Sequence, residues 1–95
     1  MRGGWVYILA NRYRGTIYVG VTADIHARIW KHREEPEGFV ARYKLDRLVY
    51  VEDYPTIDEA IAREKALKKW RREWKVELIE AANLHWVDLF QTINA

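Results

Sequence analysis

Between Trp5 and Thr22 the chain reads WVYILANRYRGTIYVGVT. Two stretches rich in Val, Ile and Tyr, Trp5–Ala10 and Thr16–Thr22, flank a polar loop, Asn11–Gly15. Branched and aromatic side chains suit a pleated, half-buried surface, so both stretches read as strands, and the Gly-terminated loop makes them a hairpin. With an even number of loop residues, opposed positions have indices that sum to an odd number. Tyr7 and Tyr18 then share one face, directly across or diagonally. Gly20 lies on that face too and leaves space where a side chain would otherwise stand.

Working outward, Asp24–His32 reads as a short helix that Thr22 or Asp24 can cap, and Glu34–Gly38, with Pro36, ends it in a loop. Leu48–Glu52 is a third strand. Beyond Pro55, Thr56 and Glu59 have capping-box spacing at the start of a stretch, Ile57–Ala82, that has neither Gly nor Pro. Its apolar stripe changes phase. Ile57, Ala60, Ile61 and Leu67 define one face, whereas Trp70, Trp74, Leu78 and Ala81 define another. The pattern predicts two helices breaking near Arg71-Arg72. From Asn83 the tail carries Trp86, Leu89 and Phe90 as a helical turn or packed arm, and Trp70, Trp74 and Trp86 are assigned to the core. The fold class is α+β, a small three-stranded antiparallel sheet flanked by helices.

Ninety-five residues give one domain, 1–95, with a single core to which five Trp and six Tyr contribute. There is no cysteine, which excludes a disulfide framework and a thiolate zinc site and points to a reducing, cytoplasmic setting. The N-terminus lacks the long apolar region of a signal peptide, and no segment has membrane-spanning length. The formal charge of +2 is unevenly spread. All 16 Lys and Arg and 11 of the 14 acidic residues lie at or before Lys75, a net +5, whereas Glu77, Glu80 and Asp88 leave −3 after it. That asymmetry suits a phosphate-bearing ligand approaching one face.

Three features fit a purely structural domain poorly. Glu64 falls on the inward stripe of its helix, where a carboxylate is costly unless paired or bound to a cation. The alternative is a Glu at the stripe's edge paired with Lys65 or Lys68. Arg28 and His32 lie four apart on one helix, and Arg28 shares the face of Ile25 and Ile29, a placement suited to bidentate capture of phosphate. Surface Arg and His at helical spacing are equally ordinary. The pair Tyr7 and Tyr18 is the third feature, although strand tyrosines are commonly core residues.

Taken together these positions resemble the GIY-YIG nuclease superfamily, in particular its small stand-alone, excinuclease N-terminal-domain-like members. Trp5-Val6-Tyr7 and Tyr18-Val19-Gly20 are similar to the two signatures. Thr22–Arg28 is similar to the motif that bears the catalytic Arg, His32 falls where members carry His or Tyr, and Ala62–Lys68 is similar to the helix that holds the metal-binding Glu. Trp5 departs from the first signature Gly, and Val6 and Val19 from Ile. Val21 stands where some relatives carry Lys. Asn83 lies farther along the chain than the Asn of many relatives, and a helix C-cap accounts for it.

The resemblance implies an endonuclease that hydrolyses phosphodiester bonds in nucleic acid, DNA ahead of RNA, with catalytic residues Tyr7, Tyr18, Arg28, His32 and Glu64. Glu64 would hold one Mg²⁺ or Mn²⁺, with waters and phosphate oxygens completing the shell. Tyr18 would help deprotonate the attacking water, Tyr7 would orient that water or support Tyr18, and Arg28 would stabilise the phosphate's developing charge. Substrate grip is expected from Arg12 and Arg14, Lys31 and Arg33, Arg42, Tyr43 and Lys44, and from Lys68, Arg71 and Arg72. Without a reading helix, binding is expected to be structure-selective or weakly nonspecific. A monomer or weak dimer is expected, with a protein partner for targeting and a place in DNA repair, recombination or defence. Two other readings stay open: a feebly active nucleic-acid-binding module that needs a partner, and a protein-interaction domain with a Trp-rich face.

Overall fold

A computed structural model describes residues 3–93. Its elements in chain order are β1 (Gly4–Ala10), β2 (Ile17–Thr22), α1 (Ile25–Glu34), α2 (Gly38–Tyr43), β3 (Arg47–Tyr54), α3 (Ile57–Lys69), α4 (Arg72–Ala82) and α5 (Phe90–Ile93). The sheet has the order β2-β1-β3, both pairs antiparallel. This is the expected α+β architecture. Ala10 pairs with Ile17 across a six-residue loop, an even number, so Tyr7 faces Gly20 and Leu9 faces Tyr18. The two tyrosines therefore sit diagonally on one face, as the alternation required.

The single core expected from the length is divided, because alternation sends the sheet's two faces into two clusters. Val6, Ile8, Ala10 and Val19 pack with Ala60, Leu67, Ile79 and Trp86 beneath α3 and α4. Tyr7 and Leu9 pack with Ile25 and Ile29 of α1, Val40 of α2, Leu45 and Leu48. A register shift between Ile8 and Leu9 in the β1–β3 ladder puts Tyr50 opposite Ile8 and Leu48 opposite Leu9. Val49, the extra residue, joins Tyr50 in the α3 core.

The caps follow the sequence. Asp24 caps α1 by accepting from Ala27 N at 3.1 Å, while Thr22 Oγ1 accepts from Asp24 N. Thr56 caps α3 by accepting from Glu59 N. The long stretch breaks where the stripe changes phase: Trp70 ends α3 in an extended conformation, and Arg71 opens α4 without a side-chain cap. An unbroken helix would hold Ile79 about a third of a turn from Leu67, and the break lets both reach one core.

Several expectations need correction. Helix α2 was expected as loop up to Gly38 and has no predicted counterpart beyond it. Six residues are too short for a periodic signal; α2 starts on Gly38 at φ +54° and ends on left-handed Lys44, held down by buried Val40. Helix α1 runs two residues past His32, and β3 extends beyond Leu48–Glu52 at both ends. Trp86 is fully buried and Trp70 packs partly into the core, but Trp74 is 45% exposed. Helix α4 instead turns Ile79 inward, flanked by Val76 and Leu78, and leaves Ala81 exposed. Among the described residues no helix is long and apolar enough to cross a membrane.

Candidate active site

The site begins with a missing side chain. A Cβ at Gly20 would lie 2.7 Å from Tyr7 Cε1 and closer still to its Cζ and Oη, so the fully buried Tyr7 ring fills the space that glycine leaves. The sequence reading expected an open space there; the tyrosine of the neighbouring strand occupies it. Tyr7 is thereby laid across β2 toward the free edge of the sheet.

Helix α1 closes over this face. Ile25 and Ile29 anchor it in the core, and Arg28 and His32 follow on adjoining turns. Tyr7 Oη lies 2.9 Å from His32 Nε2. Ring centroids are 5.7 Å apart for Tyr7 and His32, 6.0 Å for Tyr18 and His32, and 6.4 Å for the two tyrosines. Burial pushes the Tyr7 phenol up to about 12, with the Tyr18 and Glu64 charges adding to the rise and Arg28 opposing it. Burial also pushes His32 down, assisted by the charges of Arg28 and Lys31. A protonated phenol beside a neutral imidazole makes Tyr7 the donor and Nε2 the acceptor. Arg28, Lys31 and His32 line a hollow of about 310 Å³ with Glu35 and Glu37. Arg28 is exposed at its rim, close enough to the buried Tyr7 hydroxyl for its charge to oppose the rise in that phenol's pKa.

Glu64 comes from α3, on the opposite layer, and is 9% exposed. Its carboxylate is ion-paired with Lys68 Nζ at 2.7 Å, and that ammonium stands 5.9 Å from the centroid of the Tyr18 ring. The inward carboxylate and the paired carboxylate were alternatives in the sequence; in the structure both hold. Although Val21 brings no cation after the second signature, Lys68 brings one from α3. Among the described residues no three His, Asp or Glu side chains gather as a metal cage. Glu64 therefore offers a single hard oxygen donor group, which fits a divalent ion that keeps most of its waters.

The basic residues divide. Lys31 shares the hollow of Arg28. Lys44 lines a smaller one beside His32. Arg42 stacks on Tyr43 at 5.5 Å. Tyr43 in turn meets Phe39 at 4.7 Å, and Phe39 meets Tyr18 at 6.3 Å, an aromatic file that leads from the site to the surface. Phe39, 46% exposed, was missed. Its signal was the i,i+4 spacing to Tyr43, legible only once α2 is recognised as a helix. Arg12 is exposed on the hairpin loop, and Arg71 lies over Trp74 at 4.6 Å. Three arginines expected to grip substrate have partners within the fold. Arg14 forms a two-pronged pair with Glu80 at 2.7 Å. Arg72 donates to the carbonyls of Arg14 and Gly15, and Arg33 pairs with Asp88 beneath Phe90. Asn83 is buried and its amide is committed to the backbone: its Nδ2 donates to Val49 O and Val87 O, and its Oδ1 accepts from Val87 N.

UPF0213 proteins of Staphylococcus epidermidis and Staphylococcus aureus are each 39% identical over 70 residues, which cover 70% of this chain and 82% of theirs. Those names state no activity. No solved structure matches. Residues 3–77, which contain both strand tyrosines, the α1 pair and Glu64, match the GIY-YIG catalytic domain. The chain belongs to the GIY-YIG family, a family of nucleases.

Proposed function

We propose that this chain is an endonuclease that hydrolyses phosphodiester bonds in nucleic acid, DNA ahead of RNA, at the cluster Tyr7, Tyr18, Arg28, His32 and Glu64. The observation that carries the reading is the meeting of two phenols and an imidazole, all within 6.4 Å centroid to centroid, with a guanidinium at the same hollow and a buried carboxylate joined to Tyr18 through Lys68. Mg²⁺ or Mn²⁺ held at Glu64 would supply Lewis acidity toward a phosphate oxygen and the leaving oxygen. Arg28, exposed at the rim of the hollow, binds the scissile phosphate and stabilises the charge that develops on it. Tyr18 contacts the attacking water and helps remove its proton. Tyr7 stays protonated and, by donating to Nε2, fixes the neutral His32 imidazole in the tautomer whose Nδ1–H can donate to a phosphate oxygen. Lys31, Arg42 and Lys44 supply the grip on flanking phosphates. The setting expected is cytoplasmic, the assembly a monomer or weak dimer.

The test is cleavage of linear, flapped, branched and single-stranded DNA by purified protein, with and without Mn²⁺. Glu64→Gln and Arg28→Ala are each expected to lower the rate by at least about 10², the scale of one lost charge-stabilising group. Metal-dependent cleavage that persists undiminished in both variants would come from a contaminant and would remove the proposal.

A further inference from the structure

Lys68 does more in this fold than present a charge on a helix. Its ammonium forms an ion pair with the Glu64 carboxylate at 2.7 Å and overhangs the ring of Tyr18 at 5.9 Å, so it touches the acid and lies over the phenol of the site. The two members of the pair differ in exposure. The Glu64 side chain is 12% exposed and set in place, whereas that of Lys68 is 49% exposed on a flexible four-carbon stem. Burial leaves Glu64 less room to move than Lys68, so it is Lys68 whose side chain can swing away from the pair. Glu-to-Lys at i,i+4 is the favourable helical orientation, which keeps the pair formed when nothing else is bound.

From this geometry we infer that Lys68 is a resident counter-cation that holds the Glu64 carboxylate against divalent metal until a nucleic-acid phosphate draws the ammonium away. The inference rests on the reading of Glu64 as the metal ligand. An ammonium 2.7 Å from a Glu64 oxygen occupies the place a metal would take there and repels a second cation at short range. Backbone phosphate gives Lys68 another anion close by, and the carboxylate then opens. Metal and nucleic acid consequently bind with positive coupling, each raising the other's affinity by the same factor. Lys68 is a positioning residue in this scheme: it acts through Glu64 and then on the phosphate, and holds no reacting atom.

The experiment is titration of the full chain with Mn²⁺, free ion read by electron paramagnetic resonance, at fixed pH and ionic strength. Lys68→Met, Lys68→Arg and Glu64→Gln are compared with the unsubstituted chain, after thermal unfolding shows that each is folded. Lys68→Met is expected to bind Mn²⁺ about tenfold more tightly, and Lys68→Arg, which keeps the charge, about as weakly as the unsubstituted chain. A duplex with a phosphorothioate backbone is expected to strengthen Mn²⁺ binding in the unsubstituted chain and to do so much less in Lys68→Met. If Glu64→Gln abolishes binding while Lys68→Met leaves the affinity or the coupling unchanged, the counter-cation role is wrong and the metal ligand stands. If Glu64→Gln binds Mn²⁺ as well as the unsubstituted chain, the metal assignment and the role of Lys68 fall together.

Discussion

At the scale of single residues the site depends on one hydrogen atom where a side chain would be. Gly20 pairs with Tyr7 across the β1–β2 ladder, and the Tyr7 ring lies over it with no room for a methyl group. A strand interior ordinarily gains from exchanging Gly for Ala, because Gly loses more backbone freedom on folding. Here the sign reverses, since Tyr7 is fully buried and bound to His32. Gly20→Ala is expected to cost about 1–3 kcal/mol, the range for overpacking a tight core, and to reduce cleavage by moving Tyr7 off the imidazole. Urea unfolding and initial rates check both. A Gly20→Ala protein as stable and as active as its parent would mean that Tyr7 can move without consequence.

At the scale of elements, α1 and α3 deliver their groups from opposite layers of the sheet. Burial of Ile25 and Ile29 fixes the rotation of α1, which puts Arg28 and His32 toward the tyrosine face. Burial of Ala60 and Leu67 fixes α3, which turns Glu64 inward between them in sequence. The tail contributes differently. Asn83 ties the end of α4 to β3 and to the chain at Val87 through three hydrogen bonds, at 3.0, 2.8 and 3.0 Å. Removing that amide strands the buried carbonyl of Val49. Asn83→Ala is therefore expected to lose about 1–3 kcal/mol of stability while the rate constant for cleavage stays unchanged below the melting range. A specific loss of rate in a fully folded Asn83→Ala protein would place Asn83 in the site after all.

At the scale of the whole molecule, folding redistributes the charge. The acidic tail does not form a separate negative pole: Glu80 closes on Arg14 and Asp88 on Arg33. Such exposed pairs add little stability, but they withdraw two guanidinium groups from the basic surface. Among the described residues Arg28 and Lys31 stay open in one hollow and Lys44 in the next, with Arg42 beside them on the ring of Tyr43. Nucleic-acid affinity should fall as salt rises, because bound phosphates release counterions. Lys31→Ala is expected to reduce the log–log slope by about 0.9 on duplex DNA, one phosphate contact, and Arg14→Ala to leave it unchanged. The opposite result, a slope that responds to Arg14 and ignores Lys31, would move the nucleic-acid face to the side of α4.

Near-neighbour physics made much of this legible in the sequence. Alternation placed Tyr7, Tyr18 and Gly20 on one face, caps marked the starts of α1 and α3, periodicity turned Glu64 inward, and the phase change located the break before α4. All of these follow from spacings within a few residues, which the chain carries whatever it packs against. Helix α2 and its Phe39–Tyr43 pair escaped because six residues hold too few turns for a period to show. Trp74 was misplaced because the break rotates α4, and only packing sets by how much. The fate of the arginines was decided by tertiary structure alone. Arg14 and Glu80 are 66 residues apart, Arg33 and Asp88 are 55 apart, and local pattern does not tell a charge that meets a distant partner from one left for a ligand.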